Sequence, residues 1–481
     1  MAEHSSRRRY LVLAICCMSL LIVGLDNTIV NVALPSIRHE LHASVSGLQW
    51  TVAGYTLVLA SLLMLSGSTA DRVGRRRTFQ MGLLTFTAGS LLCSLAPSLG
   101  WLIAFRMVQA AGGSMLNPVA MSIITNTFTD RRERARAIGV WGGVIGISMA
   151  LGPVVGGVLV ASVGWRGIFW VNVPIGLAAV VLTGLFVPES RAPRARRVDP
   201  VGQLLVIVVL GALTYGIIEG PASGWASAKI IFFFTISAAA LVALLIYEPR
   251  RDQPLIDLRF FSSVPFAGAT LTAVAAFAAL GGFLFVNTLY LQDGRGLSAL
   301  HAGLYTLPMA GMTVIFGPLS GRIVGSRGAR LPTLAAGVAI AVGCSALTGL
   351  TNVTSASLLF LAYVIFGIGF GLVNAPITNA AVSGMPDTQA GVAAAFASTS
   401  RQIGQSLGVA VVGSVVTSGI HGPIRTSFAT ASHLGWWMLT GFGSAVFLLG
   451  LISTSPWAQR TAARTAARLE PTEPRTPVHM P

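Results

Sequence analysis

The sequence predicts an all-α polytopic membrane protein, because three features agree. Hydrophobic residues make up 53% of the 481-residue chain and charged residues only 10%, whereas soluble domains carry about 25% charged residues. The mean hydropathy is +0.74. Long apolar runs recur along the chain, and a run of about 20 residues can cross a bilayer as a helix. The solvent of this protein is therefore predicted to be lipid.

Fourteen apolar runs are predicted to be transmembrane helices. Arg7, Arg8 and Arg9 precede the first run as they would precede a secretory signal, but no small-x-small cleavage site follows, which favours an uncleaved first helix. The predicted spans are residues 10–34, 48–68, 78–97, 100–124, 137–161, 167–187, 201–218, 229–247, 265–288, 302–324, 331–350, 357–380, 402–420 and 434–455.

The basic residues fix the predicted orientation. The net charge of +16 would suggest nucleic-acid binding in a soluble protein, but here the basic residues form short clusters between apolar runs. If the N-terminus is cytoplasmic, 26 basic residues fall in cytoplasmic segments, Arg401 among them, and five fall on the opposite side. This asymmetry is what the positive-inside rule requires. We therefore expect a bacterial inner-membrane protein with both termini in the cytoplasm and no nucleic-acid partner.

A weak internal repeat predicts the domain organisation. The basic loop 67–77, after the second run, is echoed by residues 317–330 after the tenth run. Parallel six-helix repeats are a known transporter plan. We predict an N-terminal six-helix bundle (1–190), a two-helix linker with flanking loops (191–264) and a C-terminal six-helix bundle (265–455). A cytoplasmic tail (456–481) is expected to be disordered.

Three ionisable residues are candidates for proton coupling, because such side chains are costly in lipid and usually functional. Asp26 lies in the first run and is predicted to take and release protons; a structural hydrogen bond is the alternative. Arg106, in the fourth run, stays charged and is predicted to act on a nearby acid, unless it only binds backbone carbonyls. Glu219 ends the seventh run and is either interfacial or a further proton site.

The fifth run is predicted to be a kinked, tightly packed gating helix. Small residues four apart give a smooth face for a neighbouring helix, and a proline removes one backbone hydrogen bond. The residues concerned are Gly146, Gly152, Pro153, Gly156 and Gly157.

The sequence argues against an enzyme. It has no GxxxxGK[ST], HExxH or CxxC pattern, and no catalytic or metal-binding residues are predicted. Without a nucleotide-binding motif, uphill transport would have to use an ion gradient, so no cofactor is expected. A membrane sensor without transport activity is the alternative outside transport.

Several of these segments together resemble the major facilitator superfamily, and specifically its fourteen-helix drug:proton antiporter family of the EmrB/QacA type. Residues 25–35, 146–157, 165–176 and 401–408 are similar to motifs of the first, fifth, sixth and thirteenth helices, and Arg106 with Gln109 is similar to the fourth-helix motif. The sequence departs slightly from the family motifs at two positions, Ala110 in the fourth-helix motif and Ala70 before the loop Asp. The loop motif shared across the superfamily is matched by Gly67, Asp71, Arg72, Gly74 and Arg75.

The resemblance implies a monomeric major facilitator fold in which two bundles rock around a central cavity. It implies export of drugs, antibiotics or other lipophilic or cationic compounds in exchange for protons, with the Asp71 loop closing the cytoplasmic side. A narrow exporter of one metabolite or self-made antibiotic is the alternative. Amide and aromatic side chains suit amphipathic compounds. The substrate-binding candidates are Asn27, Asn31, Trp50, Tyr55, Asn117, Asn287, Tyr290, Gln292, Tyr305, Asn374 and Asn379.

Overall fold

The computed structural model describes residues 2–191, 199–251, 254–255, 257–383, 385 and 387–469, and within them the regular structure is helical throughout. Short 3-10 turns cover Glu248–Arg250 and Leu258–Ser262, and a π turn covers Tyr290–Gly294. The helices are α1 (Ala2–Glu40), α2 (Val45–Val73), α3 (Arg75–Ser94), α4 (Leu99–Thr127), α5 (Arg131–Val163), α6 (Gly167–Trp170), α7 (Asn172–Phe186), α8 (Pro200–Ser223), α9 (Ala228–Tyr247), α10 (Val264–Leu289), α11 (Ala299–Tyr305), α12 (Leu307–Arg327), α13 (Arg330–Ser345), α14 (Ala356–Val382), α15 (Asp387–Ser418), α16 (Ile424–Ser453) and α17 (Pro456–Leu469).

Polar caps set the starts of several helices. The Ser44 hydroxyl accepts from the backbone N–H of Gly47 at the start of α2, and the Asp130 carboxylate accepts from two backbone N–H groups at the start of α5. Asp199 caps α8 in the same way, with Pro200 at the first helical position. Such caps satisfy N–H groups that have no partner within the helix.

Nine helices in the described part of the chain are long and apolar enough to cross a membrane. The protein is therefore a membrane-embedded, multi-span helical protein, and the count of fourteen spans stays a prediction. The other long helices fall short of that criterion. They are α3, α4, α5, α13 and α15.

Several predicted boundaries are wrong. The sixth and tenth predicted spans are each found as one candidate span, Gly167–Phe186 and Ala299–Arg327, with a one-residue irregularity at Val171 and at Thr306. The loop predicted at residues 67–77 is mostly helix, because α2 continues to Val73 and only Gly74 separates it from α3. The helix that corresponds to the thirteenth predicted span is α15. It begins at Asp387, which places Arg401 inside α15 and not in a loop. Polar residues in these segments conceal a helix from a search for apolar runs.

The predicted disorder of the tail is wrong for residues 456–469. They form α17, in which Ala458, Ala462 and Leu469 are buried and the arginines lie on the other face. This amphipathic pattern lets α17 bind the protein, and the Thr461 hydroxyl accepts from the backbone N–H of Val264 at 3.0 Å. The rest of the predicted tail, residues 470–481, lies outside the described residues.

The helix ends define two faces of the molecule. We call the end that carries Arg75, Arg132, Arg250 and Arg327 the arginine-rich face, and the end that carries the α1–α2 and α15–α16 connections the arginine-poor face.

The halves before α8 and after α9 meet near the arginine-poor face. Gln292 Nε2 donates to the Val32 carbonyl at 2.8 Å, and Arg38 forms a 2.9 Å ion pair with Asp293. Gln49 Nε2 donates to the carbonyl groups of Val409 and Ala410 at 3.2 and 2.9 Å. These contacts seal that end of the interface.

Helix α8 contacts both halves. On one side its Gln203 side chain donates to the Ser61 carbonyl of α2, and its Glu219 accepts from Trp50 Nε1 of α2 at 2.9 Å. On the other side the Ser414 hydroxyl of α15 donates to the Ile217 carbonyl at 2.7 Å. The linker helix is therefore packed into the bundle, alongside α2 and α15.

Candidate functional site

A buried polar cluster lies inside the N-terminal half, centred on Asp26 of α1. Arg106 Nη1 donates to Asp26 Oδ2 at 2.5 Å. Asp26 Oδ1 accepts from Gln109 Nε2 at 2.9 Å and from Asn172 Nδ2 at 3.2 Å. Asp26 is 0% exposed and Arg106 is 2% exposed. A buried ion pair with additional hydrogen bonds is the arrangement that lets charges persist away from water.

Four helices hold this cluster in place. Ser90 of α3 accepts from both Gln109 and Asn172 at 3.0 Å and donates to the Phe169 carbonyl at 3.2 Å. Helices α3 and α4 approach closely because Gly89 faces the Gln109 backbone, where an added Cβ would lie 2.6 Å from the Gln109 nitrogen. The cluster therefore depends on a glycine as well as on its polar residues.

Arg106 is enclosed on its remaining sides. Its guanidinium carbon lies 4.0 Å from the centroid of the Tyr55 ring, a distance at which a cation–π contact is favourable. Its Nη1 also donates to Gln109 Oε1 at 2.8 Å, and its Nε donates to the Thr51 carbonyl at 3.4 Å. Arg106 therefore keeps partners even if Asp26 is neutral.

Sequence reasoning named Asp26 and Arg106 and missed part of their surroundings. Gln109 entered only as a motif residue, and Ser90 and Asn172 were not named as site residues. Asn172 stands within the segment 165–176, so the motif contained a signal. The sequence carries no such signal for Ser90, because a serine in an apolar helix is common. Glu219 lies apart from this cluster and binds Trp50 instead.

The glycines of α5 make two different contacts. Gly152 and Gly156 face α1, where an added Cβ would overlap Thr28 Oγ1 and would lie 2.8 Å from Ile29 Cγ1, respectively. Gly157 faces the other half, where an added Cβ would lie 2.7 Å from Leu300 Cα. The Pro153 carbonyl faces Gly303 of that half. The surroundings of Gly146 lie outside what the structure describes. Close approach without side chains thus serves packing within one half and between halves.

The loop motif is organised by an acid that the sequence analysis did not single out. Gly74 has a φ of 119°, a conformation that favours glycine. The Glu189 carboxylate accepts from the backbone N–H groups of Arg76 and Arg77 at 3.0 and 3.3 Å. Asp71 accepts from Arg75 Nη2 at 3.2 Å. Arg72 is exposed, and an added Cβ at Gly67 would meet nothing within 4 Å.

Comparison with known proteins decides the family. The family model described as Major Facilitator Superfamily matches residues 16–409. The chain belongs to this superfamily. Its relatives include the multidrug resistance protein Stp of Mycobacterium tuberculosis (strain ATCC 25618 / H37Rv), 38% identical over 413 residues, or 86% of this chain and 77% of that protein. The tetracenomycin C resistance and export protein of Streptomyces glaucescens is 34% identical over 417 residues, with the same two coverages.

Solved structures support the fold of this facilitator. A bacterial homologue of the human drug peptide transporters PepT1 and PepT2 has a TM-score of 0.66 at 12% identity and covers 97% of this chain and 100% of its own. A bacterial homologue of the human lysosomal transporter Spinster, inward-facing and unoccupied, has a TM-score of 0.63 at 18% identity, with coverages of 97% and 99%. At such identities the likeness concerns the fold alone.

The substrate-binding candidates of this facilitator fall into several places. Tyr290 and Gln292 donate to the backbone carbonyls of Thr351 and Val32, respectively. Asn287 accepts from the Tyr363 hydroxyl at 2.5 Å. The ring of Tyr55 lies under Arg106, and the ring of Tyr305 lies against Phe360. The structure therefore places these five in packing or interface positions, and two of them, Tyr55 and Asn287, keep a buried polar atom without a hydrogen-bond partner, the Tyr55 hydroxyl and Asn287 Nδ2.

The remaining amides are less occupied. Asn27, Asn31 and Asn117 each have a buried side-chain oxygen without a hydrogen-bond partner. Asn374 is half-buried and Asn379 exposed in the last two turns of α14. Unsatisfied buried amides are the groups that a bound compound or water would satisfy.

A small apolar cavity lies between the two halves. Its volume is about 20 Å³, which is roughly the space of one water molecule. It is lined by Thr28 and Met149 from one half and by Leu280, Met309 and Phe370 from the other. The cavity marks a place where the two bundles face each other.

Proposed function

We propose that the protein is a proton-coupled antiporter that exports drugs, antibiotics or other amphipathic organic compounds by alternating access. It would span the inner membrane fourteen times in a six-two-six arrangement, act as a monomer and keep both termini in the cytoplasm. The observation that carries the proposal is the fully buried Asp26–Arg106 pair at 2.5 Å. The relatives named for multidrug resistance and antibiotic export support the exporter part.

Asp26 is the proposed proton carrier. As a carboxylate it accepts hydrogen bonds from Arg106, Gln109 and Asn172. When a proton binds one of its oxygens, the charge on Asp26 is lost and with it most of the attraction to Arg106. Arg106 then relies on Gln109 and on the Thr51 carbonyl. Protonation therefore changes how strongly α1 and α4 are held together.

Alternating access couples that change to export. The halves are sealed near the arginine-poor face by the Gln292, Arg38 and Gln49 contacts. In our proposal this is the state open to the cytoplasm, in which a compound enters. Breaking the seal and closing the other end would release the compound outside and admit a proton to Asp26.

Substrate-induced proton release tests the proposal. Purified protein would be titrated with a transported compound across pH 6 to 9 in weakly buffered solution, with uphill efflux followed in proteoliposomes. Asp26→Asn keeps the shape of the side chain but cannot ionise, so both proton release and uphill efflux should be lost, while binding of uncharged compounds persists. Glu219→Gln is the matched control and should retain both. Undiminished release from Asp26→Asn would assign coupling to another group.

A narrow exporter of one antibiotic is the second candidate. Relatives named for a single compound favour it: the tetracenomycin C protein and a methylenomycin A resistance protein of Streptomyces coelicolor, 35% identical over 398 residues. A resistance profile in a pump-deficient host separates the two. Protection against many unrelated compounds supports the broad exporter, and protection against one structural class supports the narrow one.

A further inference from the structure

A second arginine lies inside the helical bundle, in the C-terminal half. Arg401 is in the middle of α15 and is half-buried. Its Nη2 donates to the Thr378 hydroxyl of α14 at 2.6 Å, and its guanidinium carbon lies 5.9 Å from the centroid of the Phe277 ring of α10. Three helices of the same half therefore surround this cation.

Arg401 differs from Arg106 in having no acid beside it. None of the ion pairs found in the described part of the chain includes Arg401. Its Nε is buried and has no hydrogen-bond partner. A guanidinium carries five N–H donors, and a cation within the membrane is costly unless something compensates its charge. Among the described residues, no carboxylate therefore pairs with the Arg401 guanidinium.

The arginine lies next to the space between the halves. One and two turns further along α15, Gly404 and Gly408 face Val274 and Ala278 of α10, so Arg401 points to the same side of α15. Phe277 also contacts Phe370, with ring centroids 5.2 Å apart, and Phe370 lines the cavity between the halves. Arg401 is thus one aromatic ring away from that cavity, toward the arginine-rich face.

Neighbouring groups orient the guanidinium without neutralising it. The Thr378 hydroxyl donates to the Asn374 carbonyl at 3.2 Å, which leaves its oxygen free to accept from Arg401. Arg401 Nη1 also donates to the Ser398 hydroxyl at 3.5 Å, so two neutral hydroxyl groups orient the planar fork while Nε remains available. A fixed arginine fork suits a carboxylate, which can accept two parallel hydrogen bonds.

We propose that Arg401 binds an acidic group, a carboxylate or a phenolate, of the exported compound, with the rings of Phe277 and Phe370 contacting its apolar part. This proposal rests on the proposed export function and narrows the substrate class. The only charge pair buried deep in the opposite half among the described residues, Asp26–Arg106, is neutral overall. Arg401 therefore favours anionic over cationic amphipathic compounds.

A pair of probes that differ by one negative charge tests this site. Dansylphenylalanine carries a carboxylate and its methyl ester does not, and dansyl fluorescence rises on transfer to an apolar site. Wild-type protein should bind the carboxylate at least about tenfold more tightly than the ester, since hydrogen bonds to charged groups are among the strong ones. Arg401→Gln should remove that preference and leave ester affinity within about twofold, because only the charged contact is lost.

Two further variants separate charge from folding. Arg401→Lys keeps the charge without the fork and should retain part of the preference. Arg322→Gln is the matched control, because Arg322 is an exposed arginine of the same half, near the arginine-rich face, and it should leave both affinities unchanged. Equal wild-type affinity for the two probes would overturn the proposal, as would an equal loss of both in Arg401→Gln.

Flux assays distinguish failure of this inference from failure of the export function. Wild-type proteoliposomes that export both probes without a preference for the carboxylate would overturn the Arg401 site alone. Proteoliposomes that export neither probe, nor any compound to which the gene confers resistance, would overturn the proposed function, and the inference would fall with it.

Discussion

The two faces of the molecule are held in different ways. Near the arginine-poor face the halves touch through backbone and side-chain contacts, such as Gln292 to the Val32 carbonyl at 2.8 Å and Gly157 against Leu300. Gly139 and Gly143 lie toward the arginine-rich end of α5, the helix that contains Gly157. An added Cβ at either of them would meet nothing within 4 Å. One end of the interface is thus closed and the other has room for contacts that this state does not make.

This difference indicates which contacts must change for the arginine-poor end to open and the arginine-rich end to close. The closed end depends on glycines that allow backbones to approach, and such contacts are lost as soon as the halves separate. The polar cluster around Asp26 lies inside one half and does not take part in either seal. In the proposed mechanism, protonation of Asp26 would therefore act on the seal between the halves indirectly, through the packing of α1 against α4 and α5.

The largest effect is expected at the Asp26–Arg106 pair. Arg106→Gln leaves a buried carboxylate without its cation, which typically costs about 3–5 kcal/mol. Thermal unfolding in detergent would measure this cost, with the double variant Asp26→Asn/Arg106→Gln expected to be more stable than Arg106→Gln alone. A double variant that is no more stable than Arg106→Gln would show that the pair does not determine stability.

Matched substitutions at the two ends of α5 sharpen the comparison directly. Gly157→Leu should push the halves apart near the arginine-poor face, at a cost of about 1–3 kcal/mol for that state, and should raise exposure of that side to a membrane-impermeant reagent. Gly143→Leu has room here and should leave this state intact, but it should block closure of its own side. Both variants should transport poorly, with opposite accessibility patterns. Identical patterns would contradict the assignment of open and closed ends.

A smaller effect is expected from the Asp71 loop. If Asp71 meets a helix N-terminus of the other half when the arginine-rich side closes, its charge is worth about 0.3–2 kcal/mol there, enough to shift two conformers several-fold. Asp71→Asn should lower transport with near-normal expression. Maleimide labelling of Gly143→Cys, in a Cys17→Ser background, should increase. Unchanged labelling would remove the latch role.

The smallest effect is expected at the Arg38–Asp293 pair. Its side chains are 31% and 19% exposed, and solvent-accessible ion pairs contribute about 0–1 kcal/mol. Asp293→Asn should therefore weaken the seal slightly, visible as faster labelling on the arginine-poor side and little change in transport. An effect as large as that of Gly157→Leu would mean that charge, and not close packing, holds this end.

Much of the fold could be predicted because hydropathy and arginine placement reflect the physics of the bilayer. The Asp26–Arg106 pairing followed from the same rule, since two opposite charges placed in lipid on neighbouring helices favour contact. The position of Arg401 could not be predicted, because a polar helix such as α15 does not stand out from its loop in hydropathy. Glu189 was missed for a related reason: its role in holding the Arg76 and Arg77 amides depends on a contact across 113 and 112 positions of sequence.

The attachment of α8 has a mechanical consequence. It is tied to the first half at two levels, through Gln203 and through Glu219, but to the second half through the Ile217 carbonyl near its last turns. Helix α8 packs along both α2 of the first half and α15 of the second, so in the proposed alternating access a rotation of the halves would have to change one of these two contacts. The position of α8 between α2 and α15 would then limit how far the two halves can separate along that side.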